Sequence, residues 1–448
     1  MESGEKTYDV VIVGGGVTGT ALLYVLSKYT NLKKIAHIEK ERDVALLNSH
    51  VDNNSHTLHF GDIETNYSLE KAAKVKEAAD MLRAYVEING KNGERLFRKT
   101  HKMVLAIGDD EVRELEDRHR KFKDLFPGLR LIGRDEIAAI EPKVMDGRNP
   151  DEKIAALLSD DGYAVDFQKL SQSFLMHAKW HDSSRKIDLI GLTALREIKK
   201  EGDVFVLKTT SGTLRAKTVV LAAGPHSLIF AKQLGYGLEY GILPVAGSFY
   251  SGGNVLKGKV YTMQIKGIPF AAIHGDPAVN NPDETRFGPT AKVLPVLERG
   301  NYRTFPDFLR TSAITLNGIL SLLKIISDPV IFKYFLKNIL YDLPIIGRWA
   351  FLQEVRKIVP SMKYRDLEMS KGFGGIRPQL VDTRAKRMEM GEAKIVGDGI
   401  IFNITPSPGA SVCLKNAEVD ARTLLKFLGE GYAFDEEKFK KDFIPTPP

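Results

Sequence analysis

Cysteine is almost missing from this chain. Cys413 is the one thiol in 448 residues. That excludes an internal disulfide and any cluster held by several thiolates, and it fits a reducing compartment. An apolar run long enough to cross a bilayer is missing too. The longest uncharged stretch of the most apolar region, Thr311–Leu323, holds 13 residues, where a spanning helix takes about 20. No leader is expected, because Met1–Thr7 is short and polar and the first apolar run leads into glycines instead of a cleavage site. There is no repeat, no low-complexity block and no interleaving of lysine with aromatics, so a nucleic-acid partner is not expected. The net charge of +7 is mild. It suits an anionic substrate, a membrane surface or plain solubility. The length allows about two or three domains or one elaborated core.

What is present begins at the N-terminus. Tyr8-Asp9-Val10-Val11-Ile12-Val13 runs into Gly14-Gly15-Gly16-Val17-Thr18-Gly19 and on into a helical pattern. Strand, glycine turn and helix in that order are the parts of a dinucleotide site. Gly14 permits the tight turn, Gly16 lets backbone approach a pyrophosphate, and Gly19 lets the helix pack on the strand. The helix N-terminus aims unpaired N–H groups and a partial positive charge at the phosphates. A second apolar strand, Lys34–Ile38, ends at Glu39, 20 residues past Gly19. A carboxylate there can accept from both ribose hydroxyls and repels a 2′-phosphate.

FAD is favoured over NAD, because nothing suggests a second nucleotide fold for a soluble nicotinamide. Leu195–Leu207 reads as a hairpin, and Lys217–Leu221 as a strand returning to Ala222-Ala223-Gly224-Pro225. Near the C-terminus Gly399–Ile404 is a strand that enters Thr405-Pro406-Ser407-Pro408-Gly409-Ala410-Ser411, with a helical pattern after it through Leu425. A strand-to-helix turn of small residues suits the negative charge of a reduced flavin. The first and last segments are thus expected to build one site.

Between these ends, Tyr67–Asn89 and Asp109–Phe126 read as charged helices, Leu131–Ile140 as a short element, and Asp160–Phe167 as a turn before a helix through Ala178. Tyr240–Asn301 alternates strands and turns and reads as a separate sheet. Tyr302–Tyr364 is helical, rich in Leu, Ile and Phe, and studded with Lys and Arg. One reading is a helical subdomain packed on the sheet. The other is an interfacial element that touches lipid or admits a lipid-soluble partner.

The most specific patch is Val44–Tyr67, with His50, His56 and His59 among Asn, Ser and Thr. Their spacing is not a metal pattern, and no cysteine completes one. Asn53, Asn54, Thr57, His59, Glu64, Asn66 and Tyr67 stand at offsets that resemble the malate:quinone oxidoreductase family. Ser407-Pro408-Gly409-Ala410-Ser411 looks like that family's flavin loop, and Phe287-Gly288-Pro289-Thr290-Ala291 like its Phe-Gly-Pro segment. A wider similarity, to FAD-dependent 2-hydroxy acid and amino acid oxidoreductases, covers nearly the whole chain. Two departures stand out. Ser55-His56-Thr57-Leu58 replaces the family's Gly-rich loop, and His274-Gly275-Asp276-Pro277-Ala278 keeps a His and an Asp but lacks the family's Arg.

The resemblance implies an α/β fold: a Rossmann-like FAD-binding domain of discontinuous segments (1–85, 151–238 and 371–448) and a substrate domain of antiparallel sheet plus helices (86–150 and 239–370). The FAD contacts it implies are Gly14, Gly16, Val17, Thr18, Gly19, Glu39, Lys40, Asn48, Ser49, Leu195, Ala223, Gly224, Pro408, Gly409, Ala410 and Ser411. The expected reaction is oxidation of L-malate, a dicarboxylic 2-hydroxy acid, with electrons passed to a membrane quinone by a protein attached to the inner face of the cell membrane. L-2-hydroxyglutarate is the rival substrate, since one methylene is worth only about 1–3 kcal/mol of discrimination. A flavin-bearing binding protein without turnover is the rival of another class. Such chemistry needs a base for the hydroxyl proton and cations for the carboxylates. His274, expected where a strand Ile268–Ile273 emerges into a cavity, is the first choice of base and His59 the second. Arg377, in Gly374-Gly375-Ile376-Arg377-Pro378, is the carboxylate clamp, and Asn54 is expected on the substrate.

Overall fold

The computed structural model describes residues 7–90, 95–180, 185–265, 268, 272–281, 283–312, 316–343, 345–370, 372, 374–389, 393–404 and 408–443. The apolar run at the start forms β1 (Thr7–Val13), the glycines turn the chain into α1 (Val17–Tyr29), and β2 (Lys34–Ile38) returns beside β1. Tyr8 through Val13 are all buried, as expected of a parallel strand covered on both faces by helices. The sheet continues on one side to β6 (Lys186–Ile190). On the other it continues through β9 (Gly212–Leu221) and β20 (Ile400–Asn403) to the antiparallel edge strand β19 (Lys394–Gly397). A hairpin of β7 (Leu195–Glu201) and β8 (Val204–Thr209) hangs from β9. Helix α1 packs against α6 (Phe167–Trp180) and α12 (Cys413–Leu428). The two ends of the chain thus meet over one sheet.

A second sheet carries β16 (Glu368–Met369), β11 (Tyr250–Gly253), β14 (Glu284–Gly288), β13 (His274–Pro277), β12 (Lys259–Thr262), β3 (Phe97–Ile107), β5 (Ile154–Val165) and β4 (Arg130–Ile132), in that order. All its pairings are antiparallel except β12 with β3. A third, antiparallel sheet of β15 (Lys292–Val293), β10 (Tyr240–Ala246), β17 (Ile376–Asp382) and β18 (Arg387–Met388) lies between them in the chain's path. The outer helices are α2 (Leu69–Asn89), α3 (Asp109–Phe122), α4 (Arg134–Ile140), α5 (Pro142–Met145), α7 (Ser227–Gln233) and α13 (Glu436–Phe443), with α8 (Phe305–Ser312), α9 (Leu316–Ile326), α10 (Pro329–Leu340) and α11 (Ile346–Ile358) forming the apolar, basic region. Ser68 caps α2 by accepting from the Lys71 N–H at 3.2 Å.

The α/β class and the mixture of parallel and antiparallel sheets agree with the sequence reading. Three local expectations need correction. Asp160–Val165 is not a turn but the second half of β5. A Cβ on Gly162 would come within 2.6 Å of the Thr100 carbonyl, so that glycine serves close strand approach, and pairing with a bulged β3 keeps Asp-Asp-Gly extended. Ile154–Val165 therefore joins the second sheet instead of the nucleotide-binding one. The supposed strand Ile268–Ile273 is also absent where it is described. Ile268, Ala272 and Ile273 are irregular, while Pro269, Phe270 and Ala271 lie outside the described residues, as do Thr405, Pro406 and Ser407 of the flavin loop. His274 opens a strand instead of following one. Last, Tyr240–Asn301 feeds two sheets, not one.

Candidate active site

The glycine turn is built for a ligand in one respect that packing does not explain. Cβ atoms at Gly14 and Gly19 would strike protein backbone, 2.5 Å from the Ala222 carbonyl and 2.0 Å from the Gly14 carbonyl. Those two glycines are required by the fold. At Gly16, the residue before α1, a Cβ would meet only the Ser49 hydroxyl at 3.5 Å, which is ordinary contact. The space above Gly16 is a cradle, and α1 starts there with no side-chain cap and no acid in its first turn. Val17 and Thr18 open the helix, the Val17 N–H donating to Ser49 Oγ at 3.0 Å. Glu39 sits beside the turn, accepting from the Gly15 N–H at 2.5 Å and the Glu41 N–H at 2.9 Å. Its backbone ties to Ile190 and Thr193, which brings the start of β7, with buried Leu195, to the same edge. Ala223 and Gly224 follow β9 next to the turn; the Ala222 N–H donates to the Val13 carbonyl at 2.7 Å. These residues fit a dinucleotide.

The flavin-loop residues Pro408, Gly409, Ala410 and Ser411 form the turn into α12, with the Ser411 N–H donating to the Pro408 carbonyl at 2.7 Å. Ser411 joins this turn to the histidine patch. Its Oγ accepts from the His59 N–H at 3.0 Å and donates to the Thr57 carbonyl at 3.3 Å. His59 Nδ1 lies 2.7 Å from Glu64 Oε1, and the other Glu64 oxygen accepts from the Gly61 N–H at 2.9 Å. Burial alone would raise Glu64. The hydrogen bond and charge of His59, with the charge of Lys102, instead hold it well below the usual carboxylate range. Arg118 of α3 fastens the same loop, donating to the carbonyls of Gly61, Asp62 and Tyr67.

Asn48, Asn54 and Lys40 are engaged with protein rather than facing the cradle. The Asn48 side chain donates to the Ile376 carbonyl at 3.0 Å and accepts from the Ile376 N–H at 3.2 Å, so it locks the residue before Arg377. Asn54 donates to the His50 carbonyl at 2.8 Å and accepts from the His56 N–H at 3.0 Å. Lys40 pairs with Glu298.

Arg377 projects from β17. Burial lowers its guanidinium, and the groups facing it are the phenols of Tyr334, Tyr67 and Tyr261. Among the described residues no carboxylate pairs with it. A half-buried guanidinium among hydroxyls, with no acid beside it among the described residues, is suited to receive an anion.

One face of the second sheet completes the surroundings. Register places Lys259 opposite Lys102, Arg286 opposite Asp276, and Tyr261 opposite His274, and Lys259 Nζ lies 3.8 Å from Asp276. All six are buried. Lys259 donates to the Ser55 carbonyl at 3.0 Å and to Thr57 Oγ1 at 2.9 Å, and burial pushes it down to about 8. Lys102 pairs with Asp62 at 2.7 Å. Burial alone would raise Asp276, but Lys259, His274 and Arg286 carry it well below the usual range. His56 is driven well below its ordinary value, first by burial and then by the charges of Arg286 and Lys259; its neutral Nδ1 accepts from Arg286 at 2.7 Å. Arg286 restores to this face the guanidinium that the His274–Ala278 segment lacks.

His274 does not open into a cavity. It is 1% exposed, with Nδ1 3.0 Å from the Ala272 carbonyl, Nε2 3.2 Å from Asp276, and its ring stacked on Tyr261 at 4.5 Å between centroids. Nδ1 is held by a backbone carbonyl, and Nε2 is buried facing the Asp276 carboxylate. His59 has one nitrogen on Glu64 and is half-buried. The residues sequence reasoning missed are Glu64 as the partner of His59, and Lys259, Tyr261 and Arg286. A signal for Lys259 and Tyr261 existed: polar groups at alternate positions of otherwise buried strands, Lys259-x-Tyr261 and His274-x-Asp276, mark a face turned toward something polar.

Known proteins resemble this chain over most of its length. A sequence profile described as malate:quinone oxidoreductase matches residues 6–427. The chain is 40% identical over 446 residues to the malate:quinone oxidoreductase of Helicobacter pylori, covering 98% of each chain. It is 40% identical over 452 residues to a probable malate:quinone oxidoreductase of Campylobacter jejuni, covering 98% of this chain and all of the other. Human mitochondrial L-2-hydroxyglutarate dehydrogenase is more distant, at 26% over 398 residues. Among solved structures, the FAD-bound L-α-glycerophosphate oxidase of Mycoplasma pneumoniae shares the fold, with a TM-score of 0.66 at 18% identity over 94% of this chain and 95% of the other.

Proposed function

The chain belongs to the malate:quinone oxidoreductase family, and on that premise we infer that it oxidises L-malate to oxaloacetate through FAD and passes the electrons to a quinone. The match along residues 6–427 carries this reading. A bound FAD would supply the two-electron redox chemistry between malate C2 and the quinone, and the two protons of the quinol would balance the C2 hydrogen and the C2 hydroxyl proton that malate loses. Gly14, Gly16, Gly19, Ser49 and Glu39 would hold its pyrophosphate and ribose, and the turn Pro408–Ser411 its ring.

Arg377 is assigned to a malate carboxylate, supported by its lack of an acidic partner among the described residues. His59 is assigned as the base that takes the C2 hydroxyl proton at Nε2. Support for this choice is that Nδ1 is turned to Glu64, which selects the tautomer with a free Nε2 and stabilises the imidazolium that forms. Ser411 ties the same histidine to the flavin turn. His274, fully buried with Nε2 facing Asp276, is assigned to hold Asp276 and Tyr261 in place. The distance in sequence to the human L-2-hydroxyglutarate enzyme disfavours that substrate.

The quinone requires contact with lipid. No single helix among the described residues is long and apolar enough to cross a membrane, so attachment at the surface is the reading we adopt. Its support is the outer side of α8–α11: Leu316 is 72% exposed and Trp349 61%, with Ile319, Leu323, Phe332 and Leu336 also exposed beside Lys324 and Lys333. An apolar face of this extent with cations among it suits the boundary of an anionic bilayer.

Anaerobic flavin reduction of the purified enzyme tests the reaction, with L-malate, L-2-hydroxyglutarate and glycerol 3-phosphate compared side by side. L-malate should bleach the flavin fastest. Faster bleaching by either of the others would overturn the substrate assignment.

A further inference from the structure

Lys259 and Tyr261 are two residues apart on β12 and share one face, but they sit at different depths. Lys259 is 1% exposed and Tyr261 8%, which makes the phenol the outermost of the six polar side chains on this face. Its ring is fixed by stacking on His274, and it is one of the groups facing Arg377. Among the described residues its hydroxyl has one partner, Thr57 Oγ1 at 3.1 Å, and either oxygen can donate. Burial, then the charge of Asp276, pushes this phenol well above its ordinary value, so it keeps a proton to give.

Lys259 decides which way the Thr57–Tyr261 bond points. Thr57 Oγ1 has one proton and two lone pairs, and an ammonium can only donate. Lys259 fills one lone pair at 2.9 Å. The Ser55 carbonyl, 3.2 Å from the same hydroxyl, already accepts from Lys259 at 3.0 Å. That leaves the phenol oxygen as the better acceptor of the Thr57 proton. The Tyr261 proton then points away from Thr57, toward the space shared with Arg377. A neutral Lys259 reverses the chain: its nitrogen accepts from Thr57, and Tyr261 turns its proton inward. The charge behind the phenol favours an anion as well. Lys102 has Asp62 to itself, but Lys259 and Arg286 share Asp276, each at 3.8 Å, beyond hydrogen-bond reach.

We propose that Tyr261 binds the substrate's second carboxylate, the one remote from the reacting carbon, and that Lys259, acting through Thr57, is the positioning residue that aims the phenol. This deepens the malate reading above and rests on it. The planar fork of Arg377 fits one carboxylate. A dicarboxylate brings another, whose oxygens need donors once water is excluded. A 2-hydroxy acid with a single carboxylate has no use for the phenol, so Tyr261 selects dicarboxylates.

The test is anaerobic flavin reduction in the purified holoenzyme by L-malate and by (S)-2-hydroxybutyrate, in which a methyl group replaces the remote carboxylate. Tyr261→Phe removes only the hydroxyl. It should lower kcat/KM for L-malate roughly 10–10²-fold and leave that for (S)-2-hydroxybutyrate within about threefold. An undiminished value for L-malate, or equal losses on both acids, overturns the proposal. Where the monocarboxylate reacts too slowly to follow, succinate and butyrate as competitive inhibitors give the same comparison: weakening confined to succinate supports the proposal, and any other pattern overturns it. The role of Lys259 is read by pH. Burial pushes it down to about 8, with Asp276 of β13, Arg286 of β14 and Lys102 of β3 around it, and His56 and His274 close by. Its protonated form aims the phenol, so kcat/KM for L-malate should fall as pH rises through 8. Thr57→Val breaks the link at nearly constant volume and should abolish that fall, as should Tyr261→Phe; a fall that persists in either variant overturns the role of Lys259. Failure of the underlying reading looks different, because L-malate would then leave the wild-type flavin unbleached.

Discussion

Glu64→Gln isolates the proton-transfer step. The substitution keeps size and keeps an oxygen for the Gly61 N–H, but it removes the charge 2.7 Å from His59 Nδ1. A hydrogen bond to a charged group is worth about 1.5–3 kcal/mol, and this one strengthens when His59 becomes an imidazolium in the transition state. Losing it should slow flavin reduction by roughly 10–10²-fold. The amide can also turn its NH₂ toward Nδ1, which moves the ring proton to Nε2 and blocks the base outright, adding to the loss. Because Arg377 and the glycine turn are untouched, FAD should stay bound and KM for malate should change little beside the rate. Anaerobic stopped-flow bleaching of the flavin by L-malate measures this directly. His59→Ala should lose at least as much, and the double variant should lose no more than His59→Ala alone, because the two residues act as one unit. Reduction at the wild-type rate in Glu64→Gln, or losses in the two single variants that multiply in the double, would refute the pair as the base.

Gly16→Val should give folded, colourless protein, since a Cβ there meets only Ser49 within the chain and the branched side chain fills the space of the pyrophosphate; retained flavin colour with native circular dichroism would contradict the cradle. Arg377→Lys keeps charge but loses the planar fork, so KM for L-malate should rise roughly tenfold or more with FAD still bound, and an unchanged KM would remove the clamp. His37, whose Nε2 lies 3.0 Å from the Gly14 carbonyl, is pushed by burial from 6.5 down to about 4. The unfolded chain therefore binds a proton between those values that the folded one does not. Stability from the neutral ring is complete above pH 6.5 and is lost as pH falls through 4, by up to roughly 3 kcal/mol. Melting curves of wild type and His37→Gln should accordingly converge on acidification, and parallel curves would refute this. Anionic liposomes should float the protein at low salt and release it at high salt, with Lys324→Glu plus Lys333→Glu weakening flotation; a protein that never floats leaves α8–α11 as a packed subdomain only.

The nucleotide-binding half was legible because its signals are local. A buried parallel strand, a glycine turn and a helix start lie within residues 7–29, and the ribose acid follows one strand later. Gly14 and Gly19 are dictated by backbone atoms a few residues or one strand away, so their spacing alone carries the geometry. The basic, apolar character of Tyr302–Tyr364 was likewise visible in composition. His59 and Glu64 were both in view in the sequence, but not their contact, because a five-residue separation through an irregular loop fixes no distance. Only the tertiary structure placed Glu64 on His59 and Ser411 between that histidine and the flavin turn. It also decided that His274 faces inward, since no sequence shows which side of a strand another sheet will cover. Asp160-Asp161-Gly162 makes the same point in reverse: its residues favour a turn, yet pairing with β3 holds them extended. Lys259, Arg286 and Asp276 come from three strands and meet only through cross-strand register. The chain by itself determined the cofactor's cradle, whose parts are neighbours in sequence. The substrate side, including Arg377 among three tyrosines from distant segments, was decided by folding, because its charges are meaningful only once burial removes the water between them.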